Sequence, residues 1–182
     1  LEVYRFCQSH GIPFHRINTA CVVPVYEASP KLEYAAKTFR PKIMAQYKNH
    51  LKPIQAIQNH PYSLESYERF NNDQAKELYQ YYADKAPFPT DFKAGEDAAL
   101  SQLDSFIKYG LQNYHLRNEV DAQATSHLSA YLHFGLLSPV KMIREVENTL
   151  HPNAALFVEE ALIRRELAQN FCYYQPKYDS LD

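Results

Sequence analysis

A mainly α-helical chain that opens with the tail of an α/β unit is the fold class this sequence predicts, and three observations carry it. From about residue 95 onward, apolar residues recur at i, i+4 and i+7. Helix-start signals stand ahead of those runs: an acidic turn, a Ser-Pro pair and an asparagine. Near the N-terminus one short helical pattern is followed by one apolar, strand-like run.

Taken in order, Val3 to Ser9 predicts a short helix, Gly11-Ile12-Pro13 a turn, and Ala20-Cys-Val-Val-Pro-Val25 a strand. A lone strand is not stable by itself, so its sheet partners would have to come from outside this chain. Between Ser29 and Asp91 prolines recur (Pro30, Pro41, Pro53, Pro61, Pro87, Pro89), which suits a connector of short helices and turns. Gly95-Glu-Asp then opens a helix whose buried face is Ala99, Leu103, Phe106, Ile107 and Leu111, with its acids favourably placed at the positive end. Ser138-Pro139 predicts an N-cap with proline at the first helical position, followed by an apolar side of Val140, Ile143, Val146 and Leu150. Asn153 is the expected cap of the next helix, with Phe157, Ala161, Arg164, Ala168 and Phe171 in line.

Composition narrows the function classes. The chain has 182 residues, of which 46% are hydrophobic, enough to bury one substantial core. Its formal net charge of -2 gives no overall basic field, so contact with a nucleic acid would need a local patch. No apolar run is long enough to cross a bilayer, and the first residues lack the apolar stretch of a signal peptide, so a soluble protein of the cytoplasm or nucleus is expected. Cys7, Cys21 and Cys172 form no CxxC and no dense even pattern, which predicts idle thiols in a reducing compartment.

Several chemistries lack their motifs. His127 and His133 are six apart and no HExxH is present, so no metal site is expected. Neither GxGxxG nor GxxxxGK[ST] occurs, and there is no GxSxG elbow. Two segments remain. In Ala124-Thr-Ser-His-Leu-Ser129, hydroxyls and backbone amides precede a helix expected to begin near Leu128, where they suit either a phosphate or an ordinary N-cap. Arg117, eight residues before Thr125, would add a cation to such a pocket or meet a DNA phosphate. In the second segment, Glu160 and Arg164 are spaced i,i+4. That suits a surface ion pair, but their closeness to the apolar line through Phe157 would set charges beside a buried face, where they need a partner or a ligand.

Residues across nearly the whole chain carry a family resemblance. Val22-Val-Pro-Val-Tyr-Glu-Ala-Ser-Pro through Ile43, Gly95 to Leu100, Arg117-Asn118, Thr125 to Ser129, Tyr131-Leu-His-Phe-Gly135 and Glu159 to Leu181 follow one another as in the photolyase/cryptochrome family. The block RRELAQNFCYYQPKYDSL resembles most specifically the class II cyclobutane-pyrimidine-dimer photolyases.

The resemblance implies that residues 1–28 end an α/β antenna domain, 29–91 form a connector, and 92–182 begin the all-helical FAD-binding domain, making the chain an internal fragment of a longer, monomeric protein. It implies light-driven repair of UV-damaged DNA, in which excited reduced FAD gives an electron to the dimer. An antenna chromophore belongs to the parent protein in this reading. Glu160 would hydrogen-bond the dimer. Tyr114, Thr125, Ser126, His127, Leu128, Ser129 and Arg165 would hold the flavin, and Arg117 and Arg164 would face DNA or substrate. The chain also departs from the family pattern: Asn113 competes with Tyr114 for the tyrosine position, His127 stands where a small residue is common, Ala130 replaces a proline, and Tyr26 stands where tryptophan is frequent. With the rest of the flavin pocket expected beyond Asp182, the chain alone should bind FAD weakly or not at all and repair nothing. A flavin photoreceptor without repair activity and a cofactor-free helical interaction module are the alternative readings.

Overall fold

The computed structural model describes residues 2–15, 17–53, 72–85 and 92–180. Every regular element among them is helical, which agrees with the mainly α class and not with the strand expected at residues 20–25. Residues 1–53 and 94–182 form one compact unit and residues 54–93 another. In the smaller unit the described element is one helix of twelve residues, Asn72–Ala83, with Gln80 donating to Asp84 at 2.6 Å just beyond its end. Pro61, Pro87 and Pro89 lie outside the described residues.

The larger unit opens with α1 (Glu2–Ser9), where the sequence predicts a helix; none of its residues is buried. The segment expected as a strand takes a different form. Cys21, Val22 and Val23 are buried in irregular backbone, and Val25 already begins α2 (Val25–Ala28). The reason lies in the hydrogen bonds: with no neighbouring strand among the described residues, Val22 and Val23 donate their N–H groups to the carboxyl of Glu166, at 2.5 and 3.3 Å. Two short helices follow, α3 (Ala36–Met44) and α4 (Tyr47–His50), and they add Phe39, Ile43 and Tyr47 to the core.

The helix of residues 72–83 is α5. Next comes α6 (Glu96–Ser105), opened by Gly95 and carrying Glu96 and Asp97 in its first turn. It runs without a break into a π-helical turn, Phe106–Gly110, and a 3₁₀ turn, Leu111–Leu116. Ala99, Leu103, Phe106 and Leu111 are all buried as the periodicity predicts, and Ile107 is half-buried. Gly110 is needed here, because a Cβ would come within 2.8 Å of the Phe106 ring. That ring meets Tyr114 and Phe157 at centroid distances of 5.6 and 4.9 Å, forming an aromatic trio at the centre of the unit.

After a loop come α7 (Ser129–His133) and α8 (Pro139–Asn148). The expected cap of α8 is present: Ser138 accepts the N–H of Lys141 at 3.3 Å with Pro139 at the first helical position. Met142, Ile143 and Val146 are buried. Leu150, expected on that face, lies past the helix end with φ of 54° and is 90% exposed. Asn153 stands at the N-cap position of α9 (Ala154–Val158), but its side chain caps no N–H there. It donates instead to the carbonyls of Leu111 and Gln112, at 3.0 and 2.9 Å, tying α9 to the 3₁₀ turn.

A π-helical turn, Glu159–Arg164, joins α9 to α10 (Arg165–Tyr174), and it corrects the expected buried face. The wider turn adds a residue to the helical period, so a line drawn from Phe157 at alternating intervals of four and three slips off the core. Arg164, Ala168 and Phe171 are exposed, while Leu162, Ile163, Glu166 and Asn170 are buried. The new face is partly polar. Glu166, Asn170 and Tyr174, spaced four apart, all bond to the backbone of residues 22–33: Asn170 accepts from the N–H of Glu33 at 2.8 Å and donates to the carbonyl of Lys31 at 3.1 Å, and Tyr174 donates to the carbonyl of Ser29 at 2.7 Å. Nearby, Glu33 accepts from Lys42 and, at 2.7 Å each, from Ser29 and Thr38. Together these partners hold its carboxyl down at about 2.

Candidate active site

The π-turn that shifts the buried face also sets Glu160 at the edge of the aromatic core. Its side chain is 31% exposed and lies between two guanidinium groups. Arg117 donates to one carboxylate oxygen at 3.0 Å and Arg164 reaches the other at 3.2 Å. The pair expected from the i,i+4 spacing with Arg164 is therefore formed, and the long-range pair with Arg117 joins it. The two arginines differ: Arg117 is 17% exposed and stands over the Tyr114 ring, 5.4 Å from its centroid, whereas Arg164 is 62% exposed.

Glu160, Tyr114, Ser126 and Ser129 form a wall common to two cavities. The first, of about 520 Å³, falls within the usual size of a small-molecule site. Its lining is largely apolar (Ala20, Leu128, Leu132, Met142, Phe157, Ala161), with Arg165, His133 and Gln169 as polar groups. The second, of about 430 Å³, is polar and is bordered also by Arg117, Asn118, Thr125 and His127. The loop between them bends sharply, with left-handed backbone at Gln123 (φ 45°) and His127 (φ 55°). At a non-glycine residue each such conformation costs on the order of 1 to 3 kcal/mol. His127 occupies a position that glycine would fill without strain. Gln102 braces the loop by donating to the Ser126 carbonyl at 3.0 Å, and the Ser126 hydroxyl accepts the Leu128 N–H at 3.4 Å. The helix that follows, α7, begins at Ser129 and has five residues, so its positive end is weak.

Two cationic nitrogens are buried without a hydrogen-bond acceptor among the described residues: Nη1 of Arg165 and Nε of Arg117. Such atoms call for an acceptor. Burial also raises the Tyr114 phenol above its ordinary value, helped by Glu160 and opposed by Arg117, so it is a neutral ring in the cavity wall. Among the described residues no cluster of three His, Cys, Asp or Glu side chains could hold a metal ion.

Of the residues singled out from sequence, Glu160, Tyr114, Thr125, Ser126, His127, Leu128, Ser129, Arg117 and Arg165 all border one or both cavities. Arg164 borders neither and reaches the site through Glu160. Sequence reasoning missed Ala20, Leu132, Met142 and Gln169. Gln169 had a signal, its place one turn after Arg165. Ala20 had none, because only the tertiary fold brings it there.

No protein-family model matches the chain. Among curated proteins it is similar to a deoxyribodipyrimidine photo-lyase of Oryza sativa subsp. japonica, 36% identical over 96% of this chain and 36% of that protein. It is likewise similar to one of Arabidopsis thaliana, 36% identical over 95% of the chain and 37% of the relative, and to one of Methanothermobacter thermautotrophicus, 32% identical over 93% of the chain and 38% of the relative. The chain thus spans a little over one third of the length of these relatives. Proteins from two plants and an archaeon align with almost every residue described above, and on that ground the chain belongs to the photolyase family.

Proposed function

We propose that the protein carrying this chain is a light-driven DNA-repair enzyme that splits cyclobutane pyrimidine dimers with a flavin, FAD. In it, residues 1–28 close an antenna domain, 29–91 connect, and 92–182 begin the helical flavin domain. The observation that carries the reading is Glu160, ion-paired to Arg117 and Arg164 on the wall between an apolar cavity and a polar one.

The residues present suit the cofactor. Leu128, Leu132, Met142 and Phe157 offer an apolar surface to a planar ring system. The unpartnered Nη1 of Arg165 offers a donor to a flavin oxygen, and the hydroxyls of Thr125, Ser126 and Ser129 offer donors to its phosphates. When bound, reduced FAD supplies on illumination the electron that opens the cyclobutane ring.

The chain's own part is positioning and charge. One carboxylate oxygen of Glu160 accepts from Arg117 and the other is ion-paired with Arg164, so the lone pairs left over suit a pyrimidine N–H. The flanking arginines present positive charge to a pyrimidine dimer that gains an electron, which is electrostatic stabilisation of charge as it develops. A dimer in a duplex must be flipped out to reach such a recess. Arg117 and Arg164 also suit the DNA backbone, and they supply the local patch that a net charge of -2 otherwise denies.

The test is the absorption spectrum of the purified full-length protein. Flavin bands at close to one flavin per chain are expected. A colourless, folded protein that takes up no added FAD would contradict the proposal.

A further inference from the structure

Glu166 is 1% exposed, lies outside the chemistry proposed above, and takes two backbone N–H groups from a segment 144 and 143 residues away in sequence. A carboxyl in such a place is expensive when ionised. Its neighbours on both sides lead to the apolar cavity: Arg165 borders it directly, and Ala20, two residues before Val22, borders it from the other segment. Asn170 and Tyr174 continue the attachment along α10, so residues 20–33 form a strap laid over that helix and fastened at three points.

We infer that Glu166 is a positioning residue of this cavity: by holding Val22 and Val23 it seats the strap so that Ala20 borders the ligand alongside Arg165 of α10, and ionisation of its carboxyl loosens that seat. The ligand part of this inference rests on the flavin reading of the cavity; the strap part does not.

Burial raises the Glu166 carboxyl to about 7, and the Val22 and Val23 N–H groups and the Arg165 charge pull against that rise. The groups facing it are few. From the strap comes Cys21, whose thiol burial pushes up to about 12 and which therefore stays neutral; from its own helix comes the Arg165 guanidinium. When the strap lifts, the carboxyl meets water and returns to the ordinary range of about 4.3. Seating the strap therefore takes up a proton between these two values. The seat is firmest below the lower value and weakens as pH rises through about 7.

Hydrogen exchange of the full-length protein, corrected for the intrinsic pH dependence of exchange, tests the strap. Between pH 5.5 and 8, protection of the amides in residues 20–33 should fall roughly thirtyfold in the native protein, as expected from linkage. In Glu166→Gln, which keeps an acceptor for Val22 but cannot ionise, it should not change with pH. Constant protection in the native protein, or the same slope in E166Q, overturns the inference. Release of FAD from both proteins over the same range tests the cavity. Faster release at pH 8 in the native protein alone supports the positioning role. Release that ignores pH while the strap responds overturns that role, and a protein that holds no FAD at either pH refutes the flavin reading, leaving the strap to be judged by exchange.

Discussion

Replacing Glu160 by alanine in the full-length protein should cut light-driven dimer repair by roughly 10- to 100-fold, the value of one or two hydrogen bonds to a charged group, and leave flavin content unchanged. The change removes the side chain that is ion-paired with both Arg117 and Arg164. It leaves the Arg117 guanidinium, already without a partner at Nε, facing the polar cavity alone. The apolar lining and Arg165 are untouched, which is why the cofactor should stay. Glu160→Gln separates shape from charge, since the amide keeps the volume and one acceptor but loses both ion pairs. Repair rate at limiting substrate, read beside the flavin absorbance of the same sample, checks the prediction. Repair at the native level in E160A would remove Glu160 from the site.

The largest loss of stability is expected from Phe157→Ala, about 3 to 5 kcal/mol. Phe157 is buried against Phe106 and Tyr114, at centroid distances of 4.9 and 5.3 Å, and forms part of the wall of the apolar cavity. Truncating it removes ring contacts on two sides and leaves a void beside Phe106 and Tyr114. For a domain of this size the loss corresponds to roughly 10 °C or more in Tm, read by thermal or urea unfolding. FAD affinity should fall with it, because the cavity widens. A loss under 1 kcal/mol would mean that the trio does not anchor the core.

Much of this was legible in the residues. The face of α6 and the Ser138-Pro139 start of α8 follow from local pattern, where backbone propensity and burial agree. Three features were hidden for physical reasons. The π-turns at Phe106–Gly110 and Glu159–Arg164 change helix register without changing composition, so an unbroken 3.6-residue period places Ala168 and Phe171 inside when they are outside. Val22 and Val23 read as a strand because β-branched residues suit one, but no strand pairs with them among the described residues and the Glu166 carboxyl takes their N–H groups. Glu166 reads as surface charge in a run of acids and arginines, and its burial comes from a contact across the whole chain. The residues near Thr125 and Glu160 border the cavities, whereas the strap that completes the wall at Ala20 depends on that long-range contact.

Repair of a thymine-dimer oligonucleotide by the full-length protein, under near-ultraviolet or blue light and in a dark control, is the most direct test of the proposed activity. Restoration of intact thymines only in the light, in a sample with a flavin spectrum, is expected. A flavin-loaded protein that binds the oligonucleotide and repairs nothing in the light would contradict it and move the function to a photoreceptor.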